Sequence, residues 1–257
     1  MALFKAISIP VQYKLMICQT LFSLREYFFP TGCGGCGEAL VSPPDAYYGL
    51  CGDCRAFFTA RAAGEKRCGI CGKPIISEKD ICLSCREKET SANGAYNEWI
   101  VKLRVLFPYT GKFRSVLGAY KFGKSPAVGN FLAGCLTRAL EDFGPEVLEE
   151  AAWVPVPPRP GKIRKQGWDQ VEYLAGKVGL LPVCRCLKRL PSRSQKELNR
   201  QERGVNLKGR ILCKRPPPKT AILFDDVITT GATLNACAKA LLEGGAGRVY
   251  GVCLFYD

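Results

Sequence analysis

Two acidic and three hydroxyl side chains crowd into residues 225–233, close to the end of this 257-residue chain. Asp225 and Asp226 supply carboxylate oxygens, which accept hydrogen bonds from the vicinal hydroxyls of a ribose, directly or through Mg²⁺. The hydroxyl groups, which can donate hydrogen bonds to phosphate oxygens, are those of Thr229, Thr230 and Thr233. This combination of residue types suits a phosphorylated sugar.

A glycine and a helical segment complete this pattern. Gly231 lets the backbone approach a ligand closely, and the Ala/Leu-rich residues 232–243 predict a helix that ends at Gly244. Ala232 and Thr233 would then lie at the helix start, where free N–H groups attract phosphate. In the alternative interpretation, the acidic pair only ends a strand and the threonines only cap a helix. That would account for one Asp and one Thr, but not for the whole set around one glycine.

The chain also has a metal-binding pattern, since eight of its 15 cysteines form four C-x-x-C pairs. The pairs are Cys33/Cys36, Cys51/Cys54, Cys68/Cys71 and Cys82/Cys85. Four thiolates in a tetrahedron suit Zn²⁺, and two intervening residues let one tight turn supply two ligands. A site saturated by four sulfurs leaves no position for a reactive water, so we expect two structural zinc ions. Disulfides or a redox pair are the alternative.

A repeat within the cysteine segment indicates how the pairs combine. Gly37 and Gly72 follow the first and third pairs, which begin 35 residues apart, at Cys33 and Cys68. The spacing indicates a duplicated zinc-ribbon unit, so the first pair is predicted to share a metal with the second, and the third with the fourth. An interleaved arrangement is the alternative.

The elements that must position these groups follow from apolar runs and turn signals. Residues 153–156, 221–224 and 248–255 predict strands, and the helix between the last two favours a parallel, right-handed crossover. Residues 86–150 have a mainly helical character. We therefore expect an α/β fold. Its segments would be a helical leader over 1–32, a double zinc ribbon over 33–86 and an α/β domain over 87–257.

Charge is concentrated in one part of the chain. The formal net charge is +14, and residues 155–219 carry 17 Lys/Arg against four Asp/Glu, whereas residues 33–85 sum to zero. A basic block of this kind usually contacts phosphate groups of a nucleotide, a nucleic acid or a membrane surface, although a solubilising face is the alternative. The chain has no histidine, which excludes the usual general base and the usual ligand of a catalytic zinc.

The cellular location is also predicted from composition. Charged residues interrupt the apolar leader, and no uncharged run approaches the ~18–20 residues that a bilayer span requires. No export signal is convincing, so we expect a cytoplasmic protein with no transmembrane segment, in which thiols stay reduced.

Residues 222–234 resemble the phosphoribosyl-pyrophosphate motif of the type I phosphoribosyltransferases. Together with Val-Pro-Val-Pro at 154–157, Arg-Gly-Val-Asn at 203–206 and the cysteine pairs, they make the chain resemble the ComF family over about residues 25–257. Members of that family join a double zinc ribbon to a phosphoribosyltransferase-like domain. The resemblance implies a type I phosphoribosyltransferase-like parallel sheet with helices on both faces. It also implies 5-phosphoribosyl 1-pyrophosphate with Mg²⁺ as the ligand of the acidic pair.

The resemblance further assigns residues to the pyrophosphate end of that ligand. Pro157 would lie in the loop near the pyrophosphate, and residues 190–206 would form a basic hood over the site. The hood positions that match the family are Arg193, Gln195, Arg200 and Arg203. A guanidinium group suits pyrophosphate oxygens. Where the family usually shows Arg-Gly-Phe-Asn-Gln, this chain reads Gln-Gly-Trp-Asp-Gln at 166–170, so Gly167 and Gln170 are shared.

Several functions are compatible with these features. Many members of the family are linked to natural competence, the cytoplasmic handling of imported single-stranded DNA, and the resemblance implies a role there. As an enzyme, the chain would transfer a phosphoribosyl group with Asp225 and Asp226 as its catalytic carboxylates. The alternatives are a phosphoribosyltransferase of nucleotide salvage without a DNA role, and a non-catalytic adaptor. Such an adaptor would bind single-stranded DNA through its basic residues, or dock a helicase or other uptake protein through the zinc ribbons.

Overall fold

The computed structural model describes residues 31–62, 66–76, 79–89, 99–191 and 209–257, so the predicted leader lies outside it except for residues 31 and 32. The helices are α1 (Pro43–Tyr48), α2 (Gly52–Ala62), α3 (Leu83–Glu89), α4 (Gly111–Lys121), α5 (Pro126–Glu141), α6 (Pro145–Leu148), α7 (Lys162–Gln166), α8 (Gln170–Val178) and α9 (Ala232–Glu243). The strands are β1 (Leu103–Pro108), β2 (Ala151–Pro155), β3 (Leu187–Arg189), β4 (Ile211–Cys213), β5 (Thr220–Ile228) and β6 (Arg248–Tyr256). Within the described residues, no helix combines the length and the apolar character needed to cross a membrane.

The central sheet has the strand order β1-β6-β5-β2, and all of its neighbouring strands are parallel. The predicted strands are confirmed as β2, β5 and β6, and α9 has the predicted bounds. The connection β5–α9–β6 is the expected crossover between parallel neighbours. Strands β3 and β4 form a separate antiparallel pair, with Leu187 opposite Cys213.

The predicted helical character of residues 86–150 is wrong for β1. This strand is almost entirely buried, but Arg104 interrupts its apolar run and obscures the strand pattern in the sequence. In the structure the Arg104 guanidinium donates a hydrogen bond to the carbonyl oxygen of Ala62 at 3.0 Å and forms an ion pair with Asp142 at 2.7 Å. Because both contacts satisfy the charge, arginine is accommodated within a buried strand.

Residues of the sheet pack into two separate cores, one on each face, as expected for a sheet covered on both sides, and the first half of β5 shows the alternation. On one face, Ala221 and Leu223 of β5 pack with α9. On the other, Ile222 and Phe224 pack with α5 and α8. We refer to these as the α9 face and the α8 face. Helices on both faces agree with the predicted α/β architecture.

The cysteine segment packs against the edge strand β1 from both sides. Phe58 of α2 belongs to the core on the α8 face, with its ring 5.8 Å from that of Phe107 and 4.9 Å from that of Phe113. The second half of the segment packs on the α9 face, where Arg67 donates a hydrogen bond to the carbonyl oxygen of Val105. Both halves therefore share apolar cores with the sheet, and they cover a strand that has no neighbour on its other side within the described residues.

Candidate functional site

Two clusters of cysteine sulfurs lie in the first part of the described structure. In each cluster the four sulfur atoms lie within 4.8 Å of one another, which is close enough for one metal ion. One cluster consists of Cys33, Cys36, Cys51 and Cys54, and the other of Cys68, Cys71, Cys82 and Cys85. The predicted pairing is confirmed, and the interleaved alternative is wrong.

The duplication of the ribbon unit is visible in its hydrogen bonds. The N–H of Cys51 donates to Cys33 Sγ at 3.3 Å, and the N–H of Cys82 donates to Cys68 Sγ at the same distance. The glycine after each of the first knuckles donates its N–H to the carbonyl oxygen of the knuckle's first cysteine, at 2.8 and 2.9 Å. Equivalent residues thus make equivalent contacts in the two units.

These contacts prepare the first cysteine of each unit to bind metal. Burial alone would raise the pKa of Cys33, but hydrogen bonds from backbone N–H groups lower it to about 7. The same balance lowers the pKa of Cys68 to about 7. Because the thiolate is the form that binds metal, these two cysteines are the ligands most readily available to zinc at neutral pH, whereas burial raises the pKa of Cys54, Cys71 and Cys85. With all four ligands supplied by protein sulfurs, the role of zinc is structural.

The acidic pair lies within β5 rather than after it. The sequence predicted the end of this strand at residue 224, but β5 spans Thr220–Ile228, because the β-branched residues beyond the pair continue the pairing with β6. Consecutive side chains of a strand point to opposite faces of the sheet. Asp226 therefore lies on the α8 face, and Asp225 lies on the α9 face.

Asp226 is buried and bound by two side chains from neighbouring helices. Its Oδ2 atom lies 2.7 Å from Lys121 Nζ and accepts a hydrogen bond from Gln170 Nε2, also at 2.7 Å. The hydroxyl of Tyr120 donates to the carbonyl oxygen of Gln170 at 2.6 Å, which links α4 to the start of α8. Burial alone would raise the pKa of Asp226, but Lys121, Lys162 and Gln170 together hold it below its ordinary value. This carboxylate is therefore ionised.

Asp225 has different surroundings. Burial and then the charge of Asp226 raise the pKa of Asp225 to about 7, and its Oδ1 atom accepts the N–H of Asp226 at 2.8 Å. On the α9 face its charge interacts with the side chains of Arg189 and Cys237. The pair thus combines a carboxylate that is ionised at neutral pH with one that titrates near neutral pH, and a bound cation would ionise the second.

The loop that follows β5 lies at the carboxyl end of the sheet, where α/β proteins bind ligands. Gly231 is the N-cap of α9 with φ of 76°, a conformation that glycine adopts readily, and it offers no capping side chain. Thr230 Oγ1 accepts the N–H of Ala232 at 3.4 Å. Thr229 is exposed, and Thr230 and Thr233 are half-buried. The N–H and hydroxyl groups of the loop between β5 and α9 therefore lie together at the carboxyl edge of the sheet.

The residues predicted for the pyrophosphate end fall into two groups. Pro157 is half-buried and follows Val156, whose N–H donates to the carbonyl oxygen of Phe224 at 2.9 Å, next to the acidic pair. The loop after β2 therefore begins beside the pair. The hood positions lie outside the described residues; they are Arg193, Gln195, Arg200 and Arg203.

Sequence reasoning missed two cations near the pair. It did not connect Lys121 with the acidic pair, whereas Lys121 forms an ion pair with Asp226. It did not single out Arg189, which is buried at the end of β3 and interacts with the charge of Asp225. A basic stretch gives no signal that distinguishes one arginine from another, and both contacts join residues that are distant in the chain.

A broad groove lies at the opposite, amino end of the sheet. Its lining includes Glu149, Glu150, Leu180 and Lys219. It is remote from the acidic pair and from the loop before α9. The chemistry of the donors, rather than the size of the groove, indicates that the candidate site is at the carboxyl end of β5.

Comparison with known proteins agrees with this architecture. A double zinc ribbon domain model matches residues 24–89. The chain is 30% identical over 203 residues to competence protein ComFC of Streptococcus pneumoniae, which covers 78% of this chain and 84% of that protein. It is 24% identical over 212 residues to competence protein F of Haemophilus influenzae, with 78% and 87% covered. A segment of 35 residues is 54% identical to ribose-phosphate pyrophosphokinase of Bacillus cereus, covering 14% of this chain and 11% of that enzyme.

The fold and the two cysteine clusters define a mixed α/β protein with a mostly parallel central sheet and a double zinc ribbon. The similarity to the pneumococcal protein extends over most of both chains. The chain belongs to the ComF family.

Proposed function

We propose that the chain binds 5-phosphoribosyl 1-pyrophosphate with Mg²⁺ and acts in natural competence, in the cytoplasmic handling of imported single-stranded DNA. The observation that carries the ligand is the position of Asp225 and Asp226 beside a helix start whose N-cap residue, Gly231, has no side chain. The short segment shared with an enzyme named for ribose phosphate supports the same ligand class. The names of the two competence relatives support the process.

Each part of the candidate site has a role in this proposal. The 5-phosphate accepts hydrogen bonds from the N–H of Gly231, from the N–H of Ala232 in place of its long contact with Thr230 Oγ1, and from the hydroxyls of the loop. Those hydroxyls are Thr229, Thr230 and Thr233. Asp225 and Asp226 bind the ribose hydroxyls. Mg²⁺ accompanies the pyrophosphate and neutralises part of its charge.

The proposed reaction is transfer of the phosphoribosyl group. The bond from the anomeric carbon to the pyrophosphate oxygen breaks, and a bond to a nitrogen nucleophile forms, through a transition state with oxocarbenium character. The departing pyrophosphate is stabilised by Mg²⁺ and by basic residues of the loop at Pro157 and of the hood. Correct positioning of the sugar and the nucleophile supplies most of the remaining rate acceleration. This chemistry needs no covalent nucleophile and no histidine, in agreement with a chain that contains no histidine.

Contact with single-stranded DNA is supported by charge. Residues 155–219 hold 17 Lys/Arg and four Asp/Glu, and such a stretch binds phosphates with a steep dependence on salt. Fluorescence anisotropy with a labelled single-stranded 30-mer tests this part. Affinity that falls by at least tenfold between 50 and 200 mM salt supports it. No binding at low salt would leave DNA contact to a protein partner docked on the zinc ribbons.

Calorimetry tests the ligand. Titration of 5-phosphoribosyl 1-pyrophosphate with Mg²⁺ into the wild-type chain should give one site, and the Asp225→Asn/Asp226→Asn variant should lose at least tenfold in affinity. Glu243→Gln is the matched control, because it makes the same acid-to-amide change at the far, exposed end of α9. Equal affinity in all three proteins would refute the proposed site.

A further inference from the structure

Three cysteines outside the zinc clusters lie together at one end of the strand pair β3–β4. Cys186, just before β3, is fully buried in the core on the α9 face, and the half-buried Cys184 and Cys213 pack against the same core. The side chain of Cys186 interacts with the side chains of both neighbours. Neither the zinc clusters nor the proposed ligand site uses these thiols, so the proposed function leaves their proximity unexplained.

The strand register brings Cys213 close to Cys186. Leu187 lies opposite Cys213, and the N–H of Lys214 donates to the carbonyl oxygen of Cys186 at 2.7 Å. Cys186 and Cys213 are therefore offset by one position across an antiparallel pair. Residues with this offset have Cα atoms about 6 Å apart, which is inside the range of about 4.4–6.8 Å that a disulfide requires.

The side chain of Cys213 extends toward the level of Cys186. Its Sγ atom donates to the carbonyl oxygen of Arg215 at 3.1 Å, so the sulfur reaches past Lys214, the residue opposite Cys186. The sulfur also lies against Gly244 at the end of α9, where an added Cβ would be only 2.9 Å from Cys213 Sγ. Cys213 therefore directs its sulfur to the α9 side of the strand pair, where the buried side chain of Cys186 lies.

The two thiols differ in their access to solvent. Cys213 is half-buried, so a small oxidant can reach its sulfur, whereas Cys186 is fully buried. Burial, followed by the thiols of Cys184 and Cys213, raises the pKa of Cys186 to about 12. Since the thiolate is the form that attacks an oxidant, Cys186 is not the first group to react. Cys213 is in the position of the attacking thiol, and Cys186 in the position of the thiol that completes a disulfide.

We propose that Cys213 and Cys186 are a redox-active pair that a hydroperoxide converts into a disulfide. The sulfur of Cys213 attacks the hydroperoxide, the O–O bond breaks, and an alcohol leaves as Cys213 becomes a sulfenic acid. The sulfur of Cys186 then attacks the sulfenic sulfur, the S–O bond breaks, and the hydroxyl group leaves as water with the proton of Cys186. The two thiols lose two electrons and two protons in total, and the hydroperoxide gains them. A dithiol reductant reverses the reaction by thiol–disulfide exchange.

The disulfide would also stabilise the fold. It would join the start of β3 to the end of β4 and close a loop from residue 186 to residue 213. A cross-link over a loop of this length restricts the unfolded chain. The oxidised protein should therefore melt about 3 °C or more above the reduced protein.

Peptide mapping by mass spectrometry tests the pairing. Zinc-saturated, full-length protein is treated with a stoichiometric amount of tert-butyl hydroperoxide, remaining thiols are blocked with N-ethylmaleimide, and the chain is digested without reductant. We expect one cross-linked peptide pair that contains Cys186 and Cys213, with unchanged zinc content. Dithiothreitol should restore both thiols and abolish the rise in melting temperature.

Three variants separate the roles of the thiols. Cys213→Ser should reduce the yield of cross-linked chain at least tenfold. Cys184→Ser is the matched control, because Cys184 is also half-buried and also interacts with Cys186, and it should keep the wild-type yield. In Cys186→Ala the sulfenic acid of Cys213 should persist, and dimedone should trap it.

Three outcomes would overturn the proposal. They are a cross-link between Cys184 and Cys186, oxidation confined to the zinc ligands with release of zinc, and unmodified thiols at Cys186 and Cys213 after treatment. The wild type alone gives each of these results, so the test does not depend on how well the variants fold. Binding of a sugar pyrophosphate takes no part in it, so failure of the proposed function would leave the redox pair intact.

Discussion

Replacing each aspartate of the pair by asparagine should change the free energy of unfolding in opposite directions. Asp226 forms an ion pair with Lys121 at 2.7 Å, and their side chains are 9% and 18% exposed. Removal of one partner from a buried pair costs about 3–5 kcal/mol. Because Lys121 retains some access to water, we expect Asp226→Asn to lower the free energy of unfolding by about 2 kcal/mol.

Asp225→Asn should have the opposite effect. The pKa of Asp225 is raised from 3.8 to about 7, so ionisation of this group opposes folding above pH 7. The full difference between the two pKa values corresponds to about 4 kcal/mol. Because the side chain of Asp225 has some contact with solvent, we expect about half of this effect. Asp225→Asn should therefore raise the free energy of unfolding at pH 8 by roughly 2 kcal/mol.

The pH dependence distinguishes the two variants further. For an acid with a raised folded pKa, the cost of ionisation grows as pH rises from about 4 to about 7, so the gain of Asp225→Asn shrinks as pH falls below 7. For Asp226, whose folded pKa is lowered, the stabilisation is complete above the ordinary value of 3.8 and is lost only as pH falls below it. Asp226 itself contributes no pH dependence above about pH 4, but loss of its charge also lowers the pKa of Asp225, so the deficit of Asp226→Asn should be smaller at pH 8 than at pH 6.

Urea denaturation followed by circular dichroism, with zinc-saturated protein at both pH values, provides the measurement. Differences between each variant and the wild type cancel effects of pH on the zinc sites. If both variants shift stability in the same direction, the account of Asp226 as a stabilising ion-pair partner and Asp225 as a carboxyl whose ionisation opposes folding is refuted.

Four further results are expected. Removal of zinc by a chelator should lower the melting temperature of the whole chain in calorimetry, because the ribbons share both cores with the sheet; an unchanged transition for the α/β part would contradict this. Gly72→Ala should cost more than 2 kcal/mol in urea denaturation, since φ is +66° and a Cβ would lie 2.1 Å from the carbonyl oxygen of Leu103. At Gly37 φ is +84°, but an added Cβ would meet no atom within 4 Å. Gly37→Ala should therefore cost only about 1 kcal/mol. Tyr120→Phe loses the 2.6 Å hydrogen bond to Gln170 and should cost about 1 kcal/mol by the same method, whereas no loss would show that this bond is not stabilising.

Local patterns in the sequence predicted much of the fold. The ligands of each zinc cluster lie within 22 residues of one another, between Cys33 and Cys54 and between Cys68 and Cys85, so spacing alone indicated the pairing. The strand, loop and helix around Gly231 are also contiguous, and their predicted order is confirmed. The strand β1 was missed, because the charged Arg104 hides its apolar character until its partners are known.

The contacts that decide the electrostatics of the site are not local. Gln170 reaches Asp226 across 56 positions of the chain, and Lys121 approaches it from the end of another helix. The unequal pKa values of two adjacent aspartates depend on these partners and on the extension of β5 through the pair. The residue types predicted a pair of hydrogen-bond acceptors. The difference between their pKa values can be derived only when the packing on the α8 face and the α9 face is known.

A crystal structure of the chain with 5-phosphoribosyl 1-pyrophosphate and Mg²⁺ would test the central claim most directly. We predict the 5-phosphate on the N–H groups at the start of α9 and the ribose hydroxyls on Asp225 and Asp226. A sugar pyrophosphate bound elsewhere, or a ribose that contacts neither carboxylate, would contradict it.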